Sequence, residues 1–311
     1  MNKMTYILQA FTILAVLVFS SCEHKELCDN HSNTAKLHVV FDWQHAPDAQ
    51  PETMRLYLFP LDGSKAQPYE FTDYRGGYIS VPAGRYRALC VNSDTESVLY
   101  RNIDLFDSFE AYAPDGVLKA GFPRAKDASD ERIAKSPDRL YSDRLEDLAI
   151  EISKEEQTVT LYPALSVCRY RVEIRNVSNL EHHSSERLSG SLSGLSGGLQ
   201  VGRNELTSDL VTVPFNVVSD GISTLTAEFL AFGQAGMEGK PAHKLVIYLA
   251  LPDGSKESYS FDVSNQVDEA ADPRDVYILL DGLSLPKPID DGGGFHIHVD
   301  DWKDENIDIE M

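Results

Sequence analysis

Three places in this 311-residue chain carry residue types whose spacing could do chemistry. Gly194-Leu195-Ser196-Gly197-Gly198 satisfies G-x-S-x-G, the turn that exposes a nucleophilic serine when a strand precedes it and a helix follows. Here Ser189 to Ser193 is Ser/Gly-rich, Leu199-Gln200-Val201 looks extended and nothing helical follows, so the motif is read as a Gly-rich turn between strands. His296, His298 and Asp300 would share one face of a regular strand, with Ile297 and Val299 on the other. His-x-His is a metal-ligand spacing that Asp300 or Asp301 could extend, but with no fourth ligand in view a solvent-facing polar strand is the better account. Asp290, Asp291, Asp300, Asp301, Asp304 and Glu305 lack the D-x-D-x-D-G register of a calcium loop. His24, His31, His38 and His45 recur every seven residues but span a tether, a strand and a loop, and His182-His183 falls in a polar loop expected to be solvated. Trp43 and Trp302, with 14 tyrosines, could stack on sugar rings, although most sandwich aromatics pack cores and edges. These residues imply no catalytic set, no cofactor and no complete metal site. The chain is read as a non-enzyme.

The third place is Cys22. Lys3 gives a short basic start, and Ile7 to Phe19 is an apolar run broken only by Gln9 and Thr12. At about 13 residues that run is too short for a membrane span, which needs about 20, and it has the length of a secretory signal. Phe19-Ser20-Ser21-Cys22 then resembles the lipobox of bacterial lipoproteins, with Phe19 where Leu is usual. Residues 1–21 are therefore expected to be a signal peptide and Cys22 a lipidation site, held to a bilayer by acyl chains at about 0.8 kcal/mol per buried CH₂. The acidic stretch Glu23 to Asn30 resembles export signals that send lipoproteins to the outer face of the outer membrane. Loss of Lys3 moves the net charge from −21 to −22, with 27 basic against 49 acidic residues, and such a surface repels phosphate backbones. Nucleic acid is excluded as a partner. Cys28, Cys90 and Cys168 remain, an odd set of thiols. Alternation puts Cys90 beside Tyr86 and Ala88, and Cys168 beside Tyr170, Val172 and Ile174, so both read as inert core residues.

The elements that must position these residues are β throughout. Lys36–Asp42, Met54–Phe59, Tyr69–Thr72, Tyr78–Val81 and Arg85–Val91 are short alternating runs, with turns at Asp62-Gly63 and Pro82-Ala83-Gly84. Residues 122–145 are charged and Pro-containing and read as a long surface excursion with at most short helical turns, Ser129-Asp130-Glu131 offering a helix start that Pro137 would end. Strands resume at Leu148–Ile152 and Thr158–Tyr162, then at Val167–Ile174, Leu188–Val201, Val211–Val218, Leu225–Phe232, Lys244–Leu251, Ser258–Val263 and Arg274–Leu280. Phe295–Val299 and the alternation at Ile307 and Ile309 predict a further strand at the end. Turn signals every 8–12 residues mark sandwiches or barrels. The expected division is a tether over 22–35, one β-sandwich domain over 36–163 and a second over 164–311. Leu56–Lys65 and Ile247–Lys256 are alike through their Asp-Gly-Ser-Lys turns, which argues for two hairpins more than for duplication.

Taken together, the lipobox, Val39-Val-Phe-Asp-Trp43, Val81-Pro-Ala-Gly-Arg-Tyr86 running on to Ala88-Leu-Cys-Val-Asn-Ser-Asp94, Leu192-Ser-Gly-Leu-Ser-Gly-Gly198 and Val299-Asp-Asp-Trp302 are similar to the fimbrillin-associated anchor lipoproteins of Gram-negative gut and oral anaerobes. The resemblance covers nearly the whole chain after the signal. It implies two tandem transthyretin-like β-sandwich domains and an outer-membrane lipoprotein, tied down at Cys22 and facing the exterior. It further implies a protein that anchors a fimbria or ends its growth by strand pairing with fimbrillin-like shaft subunits. The segment Phe295 to Met311 is the suspected partner-binding strand, either completing its own sheet or donated to a neighbour. The alternative that the same features allow is a glycan-binding surface lipoprotein beside a nutrient-uptake system.

Overall fold

The computed structural model describes residues 34–287, apart from 126–127, 154 and 236–241. Within them the protein is all-β. Five sheets are stacked so that several strands are covered on both faces.

The first sheet places β1 (Thr34–Phe41) between β10 (Gln157–Leu161), parallel to it, and β4 (Gly76–Pro82), antiparallel. Alternation along β1 buries Ala35, Leu37, Val39 and Phe41, and these face a second sheet. That sheet runs β11 (Ala164–Leu165), β9 (Tyr141–Ile150), β5 (Gly84–Asn92), β2 (Met54–Pro60) and β3 (Gln67–Phe71). Leu56 and Leu58 point into the core shared with β1, together with Tyr86, Ala88 and Cys90. Their neighbours Tyr57, Phe59, Leu89 and Val91 point the opposite way, into a larger second core. This explains the unbroken apolar run of β2: a strand buried on both faces does not alternate.

The second core lies mainly between two further sheets. One is ordered β17 (Val218–Ser219), β18 (Leu225–Ala231), β12 (Cys168–Ser178) and β21 (Asp275–Ser284). The other is ordered β20 (Lys256–Asp262), β19 (Lys244–Ala250), β13 (Leu188–Ser196), β16 (Leu210–Asn216) and β8 (Arg132–Ile133). Tyr170, Val172, Ile174, Phe229 and Ile278 meet Leu188, Leu192, Phe215 and Ile247 across the gap. Gly190 is needed because a Cβ there would stand 2.3 Å from the Phe215 ring. A small fifth sheet, β15 (Glu205–Leu206), β14 (Gly198–Gln200), β7 (Glu110–Tyr112) and β6 (Leu99–Arg101), joins early chain to late chain. Phe106 and Phe109 beside it pack on Tyr57 and Phe59. Cys90 and Cys168 are free thiols in the two different cores, Cys90 fully buried and Cys168 partly so.

The two similar segments both form hairpins, β2–β3 and β19–β20, each at one end of a five-stranded sheet. Gly63 and Gly254 adopt φ +83° and +87°, and the preceding aspartates accept N–H bonds from Ser64 and Ser255 at 2.9 Å each.

The excursion differs from its expectation. Phe122, Ala125 and Ala128 are buried against Val246 and Tyr248, covering the outer face of the β13 sheet. No helix forms after Ser129; Arg132 and Ile133 pair in parallel with Val211 and Thr212 as β8. The charges suggest a solvated stretch, but Phe122, Ala125 and Ala128 dock it by packing and Glu131 by hydrogen bonds to Thr212 and Gly194. The expected boundary near Pro163 falls between β10 and β11, and strands from either side share sheets: β9 with β11, β7 with β14 and β8 with β16.

Candidate functional site at the sheet edges

Ser196 does not stand at a nucleophile elbow. It ends β13 in extended backbone after a register shift against β16, and the left-handed residue in the motif is Gly194, at φ +79°. A strand precedes the serine, and the short strand β14 follows where a helix would be required. The serine is 1% exposed and its hydroxyl lies 2.8 Å from Gly198 O and 2.9 Å from Thr207 O. It ties the β13–β14 junction to the loop after β15. His183 is buried rather than solvated, with Nε2 2.9 Å from Pro286 O, while His182 is half exposed. His38 stacks on Tyr78 at 4.5 Å. Among the described residues no group of three or more His, Cys, Asp or Glu is arranged to hold a metal. Cys22, His296, His298, Asp300 and the segment Phe295 to Met311 lie outside the described residues.

Trp43 gathers other aromatics, one edge-on and one tilted. Its ring meets Tyr141 at 87° and Tyr74 at 50°, and its Nε1–H donates to Tyr74 O at 2.8 Å. His45 and Tyr162 meet at 68°. Interlocked rings pack a corner; sugar stacking needs a flat open face.

Sheet edges are where this fold can bind a chain, because outward N–H and C=O groups are ready to pair with an added strand. Several edges are protected. β3 carries Pro68, which has no N–H to offer. β9 shifts register against β5 between Tyr86 and Ala88, and Glu146 and Asp147 there engage Arg87 and Arg85. Bulges and charges are common guards of exposed edges. On the outer face of the β12–β21 pair, Arg169 and Arg171 bond Asp275 at 2.6 and 3.0 Å, and the Arg169 guanidinium holds that carboxyl below its usual range.

β4, like β10 and β20, is a terminal strand, and one end of it adjoins a cleft. It pairs with β1 over seven residues, Gly76 to Pro82, of which Pro82 has no N–H to offer, and among the described residues no strand lies on its other side. Tyr78 is 53% exposed on its outer face, while Val81 is buried in the first core and Ile79 packs partly against it. Beyond the end of β4 lies a half-open surface cleft of about 450 Å³ between the β2–β3 turn and the β4–β5 corner. Its lining includes Leu61, Pro82 and Tyr86 together with the polar Asp62, Ser64, Gln67 and Arg85. The Val81–Tyr86 segment builds that end. The Tyr86 ring lies beside Gly84, and its hydroxyl donates back to Pro82 O at 2.7 Å. An open edge running into a part-apolar cleft can seat an extended segment and one bulky side chain. Sequence patterning located β4 itself; that it has no outer neighbour appears only in the pairing.

The chain is 24% identical to a Bacteroides ovatus protein described as "Putative fimbrium anchoring subunit Fim4B", over 95% of both chains. Its fold matches a crystal structure described as a "putative adhesin" from Bacteroides ovatus with a TM-score of 0.63 at 22% identity, covering 86% of this chain and 98% of that one. It also matches "putative polysaccharide binding proteins" from Bacteroides thetaiotaomicron with a TM-score of 0.52 at 13% identity, covering 79% and 90%. Residues 21–216 match the family model described as a domain of unknown function, DUF5119, and the chain belongs to that family.

Proposed function

We propose that this protein is a surface lipoprotein, anchored to the outer membrane through acyl chains on Cys22, that holds or terminates a fimbria by strand pairing with fimbrillin-like subunits. The open seven-residue edge of β4, ending in the cleft at Leu61 and Tyr86, is the observation that carries the reading. An added strand would satisfy the outward backbone groups of β4 and place a terminal side chain in the cleft. End-to-end similarity to a fimbrium anchoring subunit supports the partner class. Among the described residues no helix is long and apolar enough to cross a membrane, and the lipid on Cys22 is the proposed attachment. Phe295 to Met311 is a second candidate for strand exchange, donated or folded back on its own sheet.

The test is a cross-linked pull-down of the lipidated protein from its own cell surface, with a photo-reactive group at Ser80 on β4. Recovery of fimbrillin-like subunits joined at that position supports the reading. Their reproducible absence, with fimbriae assembled normally in a strain lacking this protein, overturns it.

A further inference from the structure

Two side chains occupy the positions that an added strand would take on the β17–β18–β12–β21 sheet. On β21, the Gln266 amide grips one residue twice: Leu279 N–H donates to Oε1 at 2.8 Å and Nε2 donates to Leu279 O at 3.1 Å. On β18, at the opposite edge, the Ser136 hydroxyl accepts from Leu230 N–H at 3.1 Å and donates to Leu230 O at 2.9 Å. Each therefore supplies the donor and acceptor that a neighbouring strand's peptide group would supply.

Their placement leaves little room. β17 already pairs with Leu225 and Thr226, so Ser136 at Leu230 leaves only Ala227 to Phe229 of that edge. Leu279 is near the middle of β21, so Gln266 divides a ten-residue edge into stretches of four and five residues, no longer than a short strand. The edge needs such a guard, because Tyr277 and Leu279 are 41% and 36% exposed beside it. Both stoppers are held from behind. Gln266 rides on the short helix Ser264–Asp268, whose Val267 is fully buried. Ser136 follows Ala134, whose N–H is bonded to Thr212 O.

We infer that Gln266 and Ser136 are edge stoppers that deny this sheet to incoming strands and so confine strand addition to other edges, β4 among them. The inference rests on the strand-pairing reading for its biological purpose, but its test uses no fimbrial subunit. The full chain carrying Ser136→Ala and Gln266→Ala is compared with its parent by sedimentation velocity and amide hydrogen exchange. We expect exchange at Leu279 and Leu230 at least about tenfold faster than in the parent, with a concentration-dependent shift to dimers and larger species. A folded variant that sediments like its parent across the same concentrations overturns the inference. If the double variant does not fold, Gln266→Met keeps the side chain's length while removing both bonding groups. The same readouts then decide. Self-association of the variants alongside failure of subunit capture would retain the stoppers and discard the fimbrial partner.

Discussion

Removing the carboxylate of Glu131 should unfasten the docked excursion. Glu131 accepts the Thr212 hydroxyl at 2.8 Å and shares the Gly194 N–H between its two oxygens at 3.1 and 3.2 Å. Thr212 is 1% exposed, so while Glu131 is in place its hydroxyl depends on that carboxylate and not on bulk water. A hydrogen bond to a charged acceptor contributes about 1.5–3 kcal/mol, and half-buried Glu131 leaves a site that water can partly refill, so Glu131→Ala is expected to cost about 2–4 kcal/mol. Urea unfolding followed by far-UV circular dichroism measures this, provided the slope is unchanged between variants. Thr212→Val removes the hydroxyl at nearly constant shape, and the double variant should show a coupling of about 1–2 kcal/mol. Hydrogen exchange at the Gly194 amide gives a local readout. A loss below about 0.5 kcal/mol, with no coupling to Thr212, would mean that residues 122–134 merely lie on the surface, and would refute the reasoning.

Other expectations concern single positions. Tyr170 is fully buried and its hydroxyl has no hydrogen-bond partner among the described residues, so Tyr170→Phe should be neutral or stabilising by about 1 kcal/mol in the same unfolding assay. Gly76 sits at φ +111° and a Cβ there would lie 2.1 Å from Val39 O, so Gly76→Ala should cost about 2–5 kcal/mol and lower the Tm. Asp220 accepts N–H bonds from Ile222, Ser223 and Thr224, led by the Thr224 bond, which lower its carboxyl from 3.8 to about 2. Its contribution is therefore complete above the unfolded value of 3.8 and disappears as pH falls towards 2; a carboxyl-carbon NMR titration with a midpoint near 3.8 would contradict this. Burial pushes the Cys90 thiol well up, so it should resist alkylation in the folded chain and react once urea unfolds it.

Much of the architecture is written locally. Alternation gives β1, β4, β5 and β12, and the Asp-Gly pairs fix two hairpins, because side-chain period and turn chemistry are properties of neighbouring residues. The low value of G-x-S-x-G is legible too, since the extended pattern of Leu199-Gln200-Val201 leaves no helix after Ser196. Other features depend on residues far apart in the chain. Phe122 reaches Tyr248, Glu131 reaches Gly194, and Ser136 reaches Leu230 across 94 positions. No period marks such contacts, because a short polar-looking segment docks through a few side chains and not through a repeating face. Sheet edges are the sharpest case. Sequence supplies strands, but only their pairing order shows that β4 has a bare side among the described residues and that Gln266 and Ser136 fill places a strand would otherwise take. Apart from a proline such as Pro68, every residue presents the same N–H and C=O, so which edges stay open is decided mainly by how the strands pair in the tertiary structure.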